Sequence, residues 1–139
     1  MKKSIFLLLV CFIVLGCASG GLFGNKENKT PVSTADAFYK TLMWKYYDRA
    51  AAFIHSDYIK SYEQFVTLNK EDLNITSYEI REIVPADNGK NEDTKVKVIL
   101  TFYRYPSVTE KSVETWDTWV KIEDRWLVKN DFSNDIFNE

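Results

Sequence analysis

Few side chains in this chain of 139 residues could move a proton or hold a metal, and they are scattered. His55 is the single histidine, with Ser56 and Asp57 beside it. An imidazole titrates near neutral pH and could act as a general base. At the end of a helix the same ring would only complement the helix dipole. Tyr46, Tyr47 and Asp48 are consecutive, and a carboxyl that shares an apolar pocket with tyrosines can stabilise an oxyanion. On an amphipathic helix those tyrosines would instead join the apolar stripe and leave Asp48 in water. Asp87, Glu92 and Asp93 crowd one polar stretch, without the ligand spacing of a calcium loop. One histidine and two cysteines fall short of a zinc ligand set. The expectation is no metal and no cofactor.

The elements that must position these residues follow from periodicity. Phe38 and Tyr39, Leu42 and Met43, Tyr46 and Tyr47, Ala50 and Ala51, Phe53 and Ile54 recur at steps of three and four, the spacing of one helix face. Ser33 or Thr34 can cap this helix, and Asp36 suits its first turn. The pattern predicts one long amphipathic helix over about Thr34–His55, with room for a bend near Tyr47 and Asp48. A shorter helix over about Tyr58–Leu68 follows, capped by Ser56 or Asp57, with Tyr58, Tyr62, Phe65 and Val66 as its apolar side. From Leu73 the period becomes two, and four strands are expected. The first covers Leu73–Val84 and ends at Pro85. The second, Thr94–Tyr105, sets Val96, Val98, Leu100 and Phe102 on one face and Lys95, Lys97, Ile99, Thr101, Tyr103 and Tyr105 on the other. The third covers Ser112–Ile122 and the fourth Arg125–Asp131. Asn88-Gly89 and Glu123-Asp124 are turn dipeptides. Short connections imply antiparallel neighbours, so the expected class is α+β, with the helices packed on a curved four-stranded antiparallel sheet.

The chain is rich in aromatic residues, with four Trp, eight Tyr and nine Phe. Trp116, Trp119, Trp126, Tyr103 and Tyr105 fall on strands, and those turned away from the helices would form an interface. Tyr103, Tyr105 and Trp119 are therefore candidate interface residues. Tyr39, Tyr46 and Trp116 are candidates for lining a pocket in the helix–sheet space.

The first seventeen residues carry an address. Lys2 and Lys3 precede an unbroken apolar run, Ile5–Leu15. Eleven residues are too few to span a bilayer, which takes about twenty. They match the apolar segment of a secretory signal. The run ends in Val14-Leu15-Gly16-Cys17, which resembles the lipobox of bacterial lipoproteins. The resemblance implies cleavage after Gly16, a thioether-linked lipid on Cys17 and an acyl chain, typically palmitate, on the new amino group. It also implies a place in the bacterial cell envelope, on the periplasmic face of the outer membrane in a Gram-negative cell because Ala18 is not aspartate. A plain signal peptide cleaved near Ala18 or Ser19 is the alternative. Stable anchoring takes at least two membrane signals, each buried methylene adding about 0.8 kcal/mol. Four of the five glycines precede residue 25, so residues 17–33 read as a flexible tether and 34–139 as one domain. Loss of Lys2 and Lys3 would leave the mature chain more acidic than the formal −2 of the whole sequence, with no basic patch for nucleic acid. With Cys11 removed and Cys17 alkylated, no disulfide forms.

Ala37-Phe38-Tyr39, Tyr47-Asp48-Arg49-Ala50-Ala51 and the closing stretch Trp119-Val120-Lys121-Ile122-Glu123-Asp124-Arg125-Trp126-Leu127-Val128 resemble the NTF2-like (cystatin-like roll) superfamily over residues 34–132. Arg125 stands where relatives often have Gly. The resemblance implies a cup that serves binders, scaffolds, isomerases and cyclases alike, and fold alone does not choose among them. Three functions are therefore open: a non-catalytic binding domain that takes an envelope partner or a second copy of itself; a small-apolar-ligand binder or isomerase-like enzyme; and a structural component docked on the envelope.

Overall fold

The computed structural model describes residues 30–85 and 93–133. Helix α1 spans Pro31–Met43. The Thr30 hydroxyl accepts the Ser33 N–H at 3.1 Å and the Ser33 hydroxyl accepts the Thr30 N–H at 3.4 Å, a reciprocal cap that satisfies two amides with no partner inside the helix. Pro31 lacks an N–H and has its φ already set for a first turn. The helix therefore starts earlier than the expected cap at Ser33 or Thr34, inside what the sequence suggested was tether. Ala35, Phe38, Tyr39 and Leu42 form its buried face.

The single long helix expected over Thr34–His55 is not formed. Lys45 takes the left-handed conformation, with φ 56°. Its N–H bonds the Leu42 carbonyl at 2.9 Å and the Tyr46 N–H reaches back to Thr41 at 2.8 Å. This is the bonding pattern of a Schellman C-cap, made here without glycine. The chain then forms the short helix α2 (Tyr47–Ala50), a 3-10 turn (Ala51–Phe53), a second 3-10 turn (Ser56–Tyr58) and helix α3 (Ile59–Asn69). The break lets Tyr47 and α3 meet. The Tyr62 hydroxyl donates to the Tyr47 carbonyl at 2.8 Å, and the Tyr47 and Phe65 rings lie edge to face at 6.4 Å.

Strands β1 (Leu73–Pro85), β2 (Thr94–Arg104), β3 (Lys111–Ile122) and β4 (Arg125–Lys129) form one antiparallel sheet in sequence order. Two register shifts in β1, at Thr76 and Arg81, insert extra residues opposite β2, and such bulges bend and twist a strand. The helices cover one face. Val96, Val98 and Leu100 are fully buried there, with Phe102 close behind, so β2 alternates as its sequence predicts. Burial of each such side chain contributes roughly 1.5–3 kcal/mol. The free edge of β4 is covered by the chain after α2: Ile54 pairs with Val128, and the His55 N–H donates to the Val128 carbonyl at 2.9 Å. The Asn88-Gly89 turn, Asp87, Glu92 and Cys17 lie outside the described residues.

Candidate functional site

Strand β3 carries its two functional sets on opposite faces. Val113, Thr115, Asp117 and Trp119 point into the core, and Glu114, Trp116, Thr118 and Val120 point away from it. The two-residue turn at Glu123 and Asp124 pairs Thr118 with Lys129, which brings Asp117 level with Asn130. Helix α1 supplies Tyr39 from the other side.

The result is a sealed polar network. The Tyr39 hydroxyl donates to Asp117 Oδ2, and Asn130 Nδ2 donates to Asp117 Oδ1 at 2.7 Å. The other oxygen-bearing end of Asn130 accepts the Phe132 N–H, also at 2.7 Å. Asp117 is 1% exposed and Tyr39 2%. Burial raises the Asp117 carboxyl to about 6, against the pull of the Tyr39 and Asn130 hydrogen bonds, which favour its charged form. Burial also holds the Tyr39 phenol well above its ordinary value, helped by the neighbouring Asp117 charge and hydrogen bond. A tyrosine beside a carboxyl of raised pKa has the composition of an acid–base pair. Here both groups are walled in by Phe38, Trp119, Val96 and Val128, all at or near zero exposure, and no substrate atom can reach them in this conformation. The Trp119 Nε1 is also sealed, with no acceptor among the described residues.

The outer face of the sheet is a different environment. Lys97 lies between Glu114, at 3.0 Å, and Glu82, at 3.7 Å, with its ammonium 4.8 Å from the centre of the Trp116 ring. Its charge is thus paired, with one carboxylate in excess, and its stem and the indole form one surface. Trp116 is 42% exposed. Ile99, Thr101 and Tyr103 continue the face along β2, half-buried, and the Thr101 and Ser112 hydroxyls pair at 3.0 Å. Ile99 and Trp116 give this face an apolar centre, with Glu82, Glu114 and Lys97 around it.

The candidate pocket trio is not assembled. Tyr39 is in the core, Trp116 is on the far side of the sheet, and Tyr46 is 51% exposed at the helix break with the Arg49 guanidinium 5.1 Å above its ring. Of the candidate interface trio, Tyr103 is on the outer face and Tyr105, 68% exposed, lies just past β2. Trp119 is fully buried and edge-on to Phe38. As a core residue it is unavailable to an interface, because its strand parity is that of Asp117 and not of Trp116. His55 caps the 3-10 turn after it: its Nδ1 accepts the Asp57 N–H at 3.3 Å. Asp48 is exposed in the first turn of α2, and Asp93 pairs with Lys129 at 3.6 Å. Among the described residues no three His, Cys, Asp or Glu side chains converge to hold a metal ion, and no helix is long and apolar enough to cross a membrane.

Sequence reasoning passed over Asp117 and Asn130. The usable signal was the parity of Asp117 with Trp119 together with the tight turn, which sets the register of β4. It also passed over Arg104, whose guanidinium bonds Asp72 at 2.9 Å and Asn69 at 2.7 Å and so joins the end of α3 to the start of β1.

No protein-family model matches the chain, and no curated protein matches it. Among solved structures, the chain is similar to the solution structure of a SEC-C motif containing protein from Rhodopseudomonas palustris. The two share 13% identity at a TM-score of 0.59, over 76% of this chain and 79% of the other. At that identity the likeness concerns the fold: an α+β arrangement of helices on a four-stranded antiparallel sheet.

Proposed function

We propose that this protein is a lipid-anchored, NTF2-like domain of the bacterial cell envelope that works by binding rather than catalysis, with the outer face of its sheet as the binding surface and a second copy of the chain as occupant. The observation that carries this reading is Trp116, half-exposed at the middle of a sheet face that no described element covers, beside a lysine already paired with Glu82 and Glu114. Aromatic residues are enriched at the centres of interfaces, and the ion-paired charges here belong to the rim around Trp116. Size supports it as well. Strands of 13, 11, 12 and 5 residues at about 3.3 Å per residue and about 4.8 Å apart offer on the order of 650 Å² of face. A standard interface takes about 800 Å² per partner, so the face with its rim suffices. The isomerase-like reading requires a carboxyl that meets its substrate, and Asp117 is sealed.

Light scattering on the purified protein over a micromolar to high-micromolar series tests the binding face. A dimer that Trp116→Ala or Tyr103→Ala converts to monomer is expected; a strict monomer at the highest concentration, unchanged by either substitution, rejects the second copy as occupant. Intact mass of the protein from its native membrane tests the anchor separately, since an acyl adduct on Cys17 that is lost in Cys17→Ser is expected there.

A further inference from the structure

The buried carboxyl does more than fill the core, because it holds the end of the described chain. Strand β4 stops at Lys129, and the next four residues have no ladder to join. Asn130 bridges them to the body: its amide donates to Asp117 and its carbonyl oxygen accepts the Phe132 N–H. Phe132 then sits at φ 56°, a left-handed conformation that a residue with a Cβ resists and that persists only where its surroundings impose it. What imposes it is the Asn130 bond on one side and ring packing on the other. The Phe132 ring stacks on Phe65 at 5.1 Å and 19°, and lies 5.3 Å from Tyr62. Beyond it, Ser133 folds back on Asp131, whose carboxylate accepts its N–H at 3.1 Å and its hydroxyl at 2.7 Å. A groove of about 170 Å³ already runs between Ser61, Gln64 and Leu68 of α3 and the residues Asp131–Ser133.

We propose that Asn130–Ser133 is a strap that Asp117 latches over an aromatic slot floored by Tyr62 and Phe65, and that the strap opens while the sheet and α1 stay folded. Opening withdraws one ring, releases one strained residue and extends the α3 groove inward along Phe65. The sheet loses no ladder bond, so the step is local. This inference is independent of the binding face proposed above.

The latch is sensitive to pH in a stated direction. Asp117 is faced by Tyr39 from α1, Asn130 from the strap, Val96 from β2, and Thr115 and Trp119 on its own strand; Tyr78 from β1 stacks behind Tyr39 at 5.7 Å and bonds Asp36. Tyr39 is the titratable group in direct contact with it. The closed form holds its carboxyl proton up to about 6, chiefly because burial disfavours the charge. Opening leaves Phe38, Trp119, Val96 and Val128 in place around the carboxyl and removes the Asn130 hydrogen bond, which favours its charged form. The open strap therefore holds the carboxyl proton more tightly than the closed one, and opening becomes easier as pH falls through about 6.

Hydrogen exchange on the full-length protein tests this. The Phe132 amide bonds Asn130 in the closed strap and reports its opening, whereas the Val98 amide in β2 reports global unfolding. At pH 7, after correction for intrinsic rates, Phe132 is expected to exchange through an opening at least tenfold more populated than the one that frees Val98. Its opening constant is expected to rise roughly fivefold as pH falls from 7 to 4, the difference between a hydrogen bond to a charged and to a neutral acceptor, and that rise is expected to vanish in Asp117→Asn. Equal protection at Phe132 and Val98 overturns the strap, as does a Phe132 amide with no protection at all. An opening constant that does not change between pH 4 and pH 7 overturns the latch. The pH series needs only the wild-type protein, so it decides even if the variant fails to fold.

Discussion

Replacing Asp117 with asparagine removes a charge from the core while keeping the size of the side chain and an oxygen to which Asn130 can donate. The wild-type carboxyl titrates at about 6 in the folded protein against 3.8 when solvated. Its folded value lies above its unfolded one, so between those values the native state holds a proton that the unfolded state has released. Stability from this group is therefore complete in acid and falls as pH rises through about 4 to 6. At 1.36 kcal/mol per pH unit the fall is on the order of 3 kcal/mol by pH 7. The variant has no such slope. It loses the acceptor for the buried Tyr39 hydroxyl, at a cost of about 1–3 kcal/mol at any pH. The expected outcome is a variant less stable than wild type at pH 4 and equal to it or more stable, by up to about 2 kcal/mol, at pH 7. Urea unfolding followed by tryptophan fluorescence at half-unit pH steps gives both curves, and their difference isolates Asp117 from the other acids. Parallel curves, with the variant weaker by a constant amount across the range, would refute the idea that the core carries a carboxyl whose ionisation opposes folding.

Three further outcomes follow from the fold. Lys45→Gly relieves a left-handed residue at the end of α1, and with glycine's unfolded-state entropy set against it the thermal midpoint should rise by the equivalent of about 0.5–1 kcal/mol. Thr30→Ala removes the cap hydroxyl and should cost about 0.5–2 kcal/mol, read by chemical denaturation. Leu100→Ala empties a fully buried position of β2 and should cost about 2–5 kcal/mol in the same assay, with no change in oligomeric state.

Much of this molecule is visible from residue type and period. The alternation of β2 identified Val96, Val98, Leu100 and Phe102 as core, because a strand's two faces follow parity alone. The three-and-four spacing from Phe38 to Leu42 marked the buried face of α1, and the change of period near residue 72 announced the sheet. Other features depended on partners distant in the chain. The helix after Met43 carries a periodic stripe with no glycine or proline to end it; it ends because Lys45 can take a left-handed turn that lets Tyr47 reach α3. In β3 the parity rule was available but hydropathy misled. Thr115 and Asp117 point inward while Trp116 and Val120 point outward, the reverse of what polarity suggests, and only pairing with β2 and β4 decides which tryptophan is buried. Asp117 lies 78 positions from Tyr39 along the chain. Its burial, its raised pKa and its grip on Asn130 arise from α1 and the β4 register meeting at one point, because desolvation depends on everything that surrounds a group and local sequence specifies only its nearest neighbours.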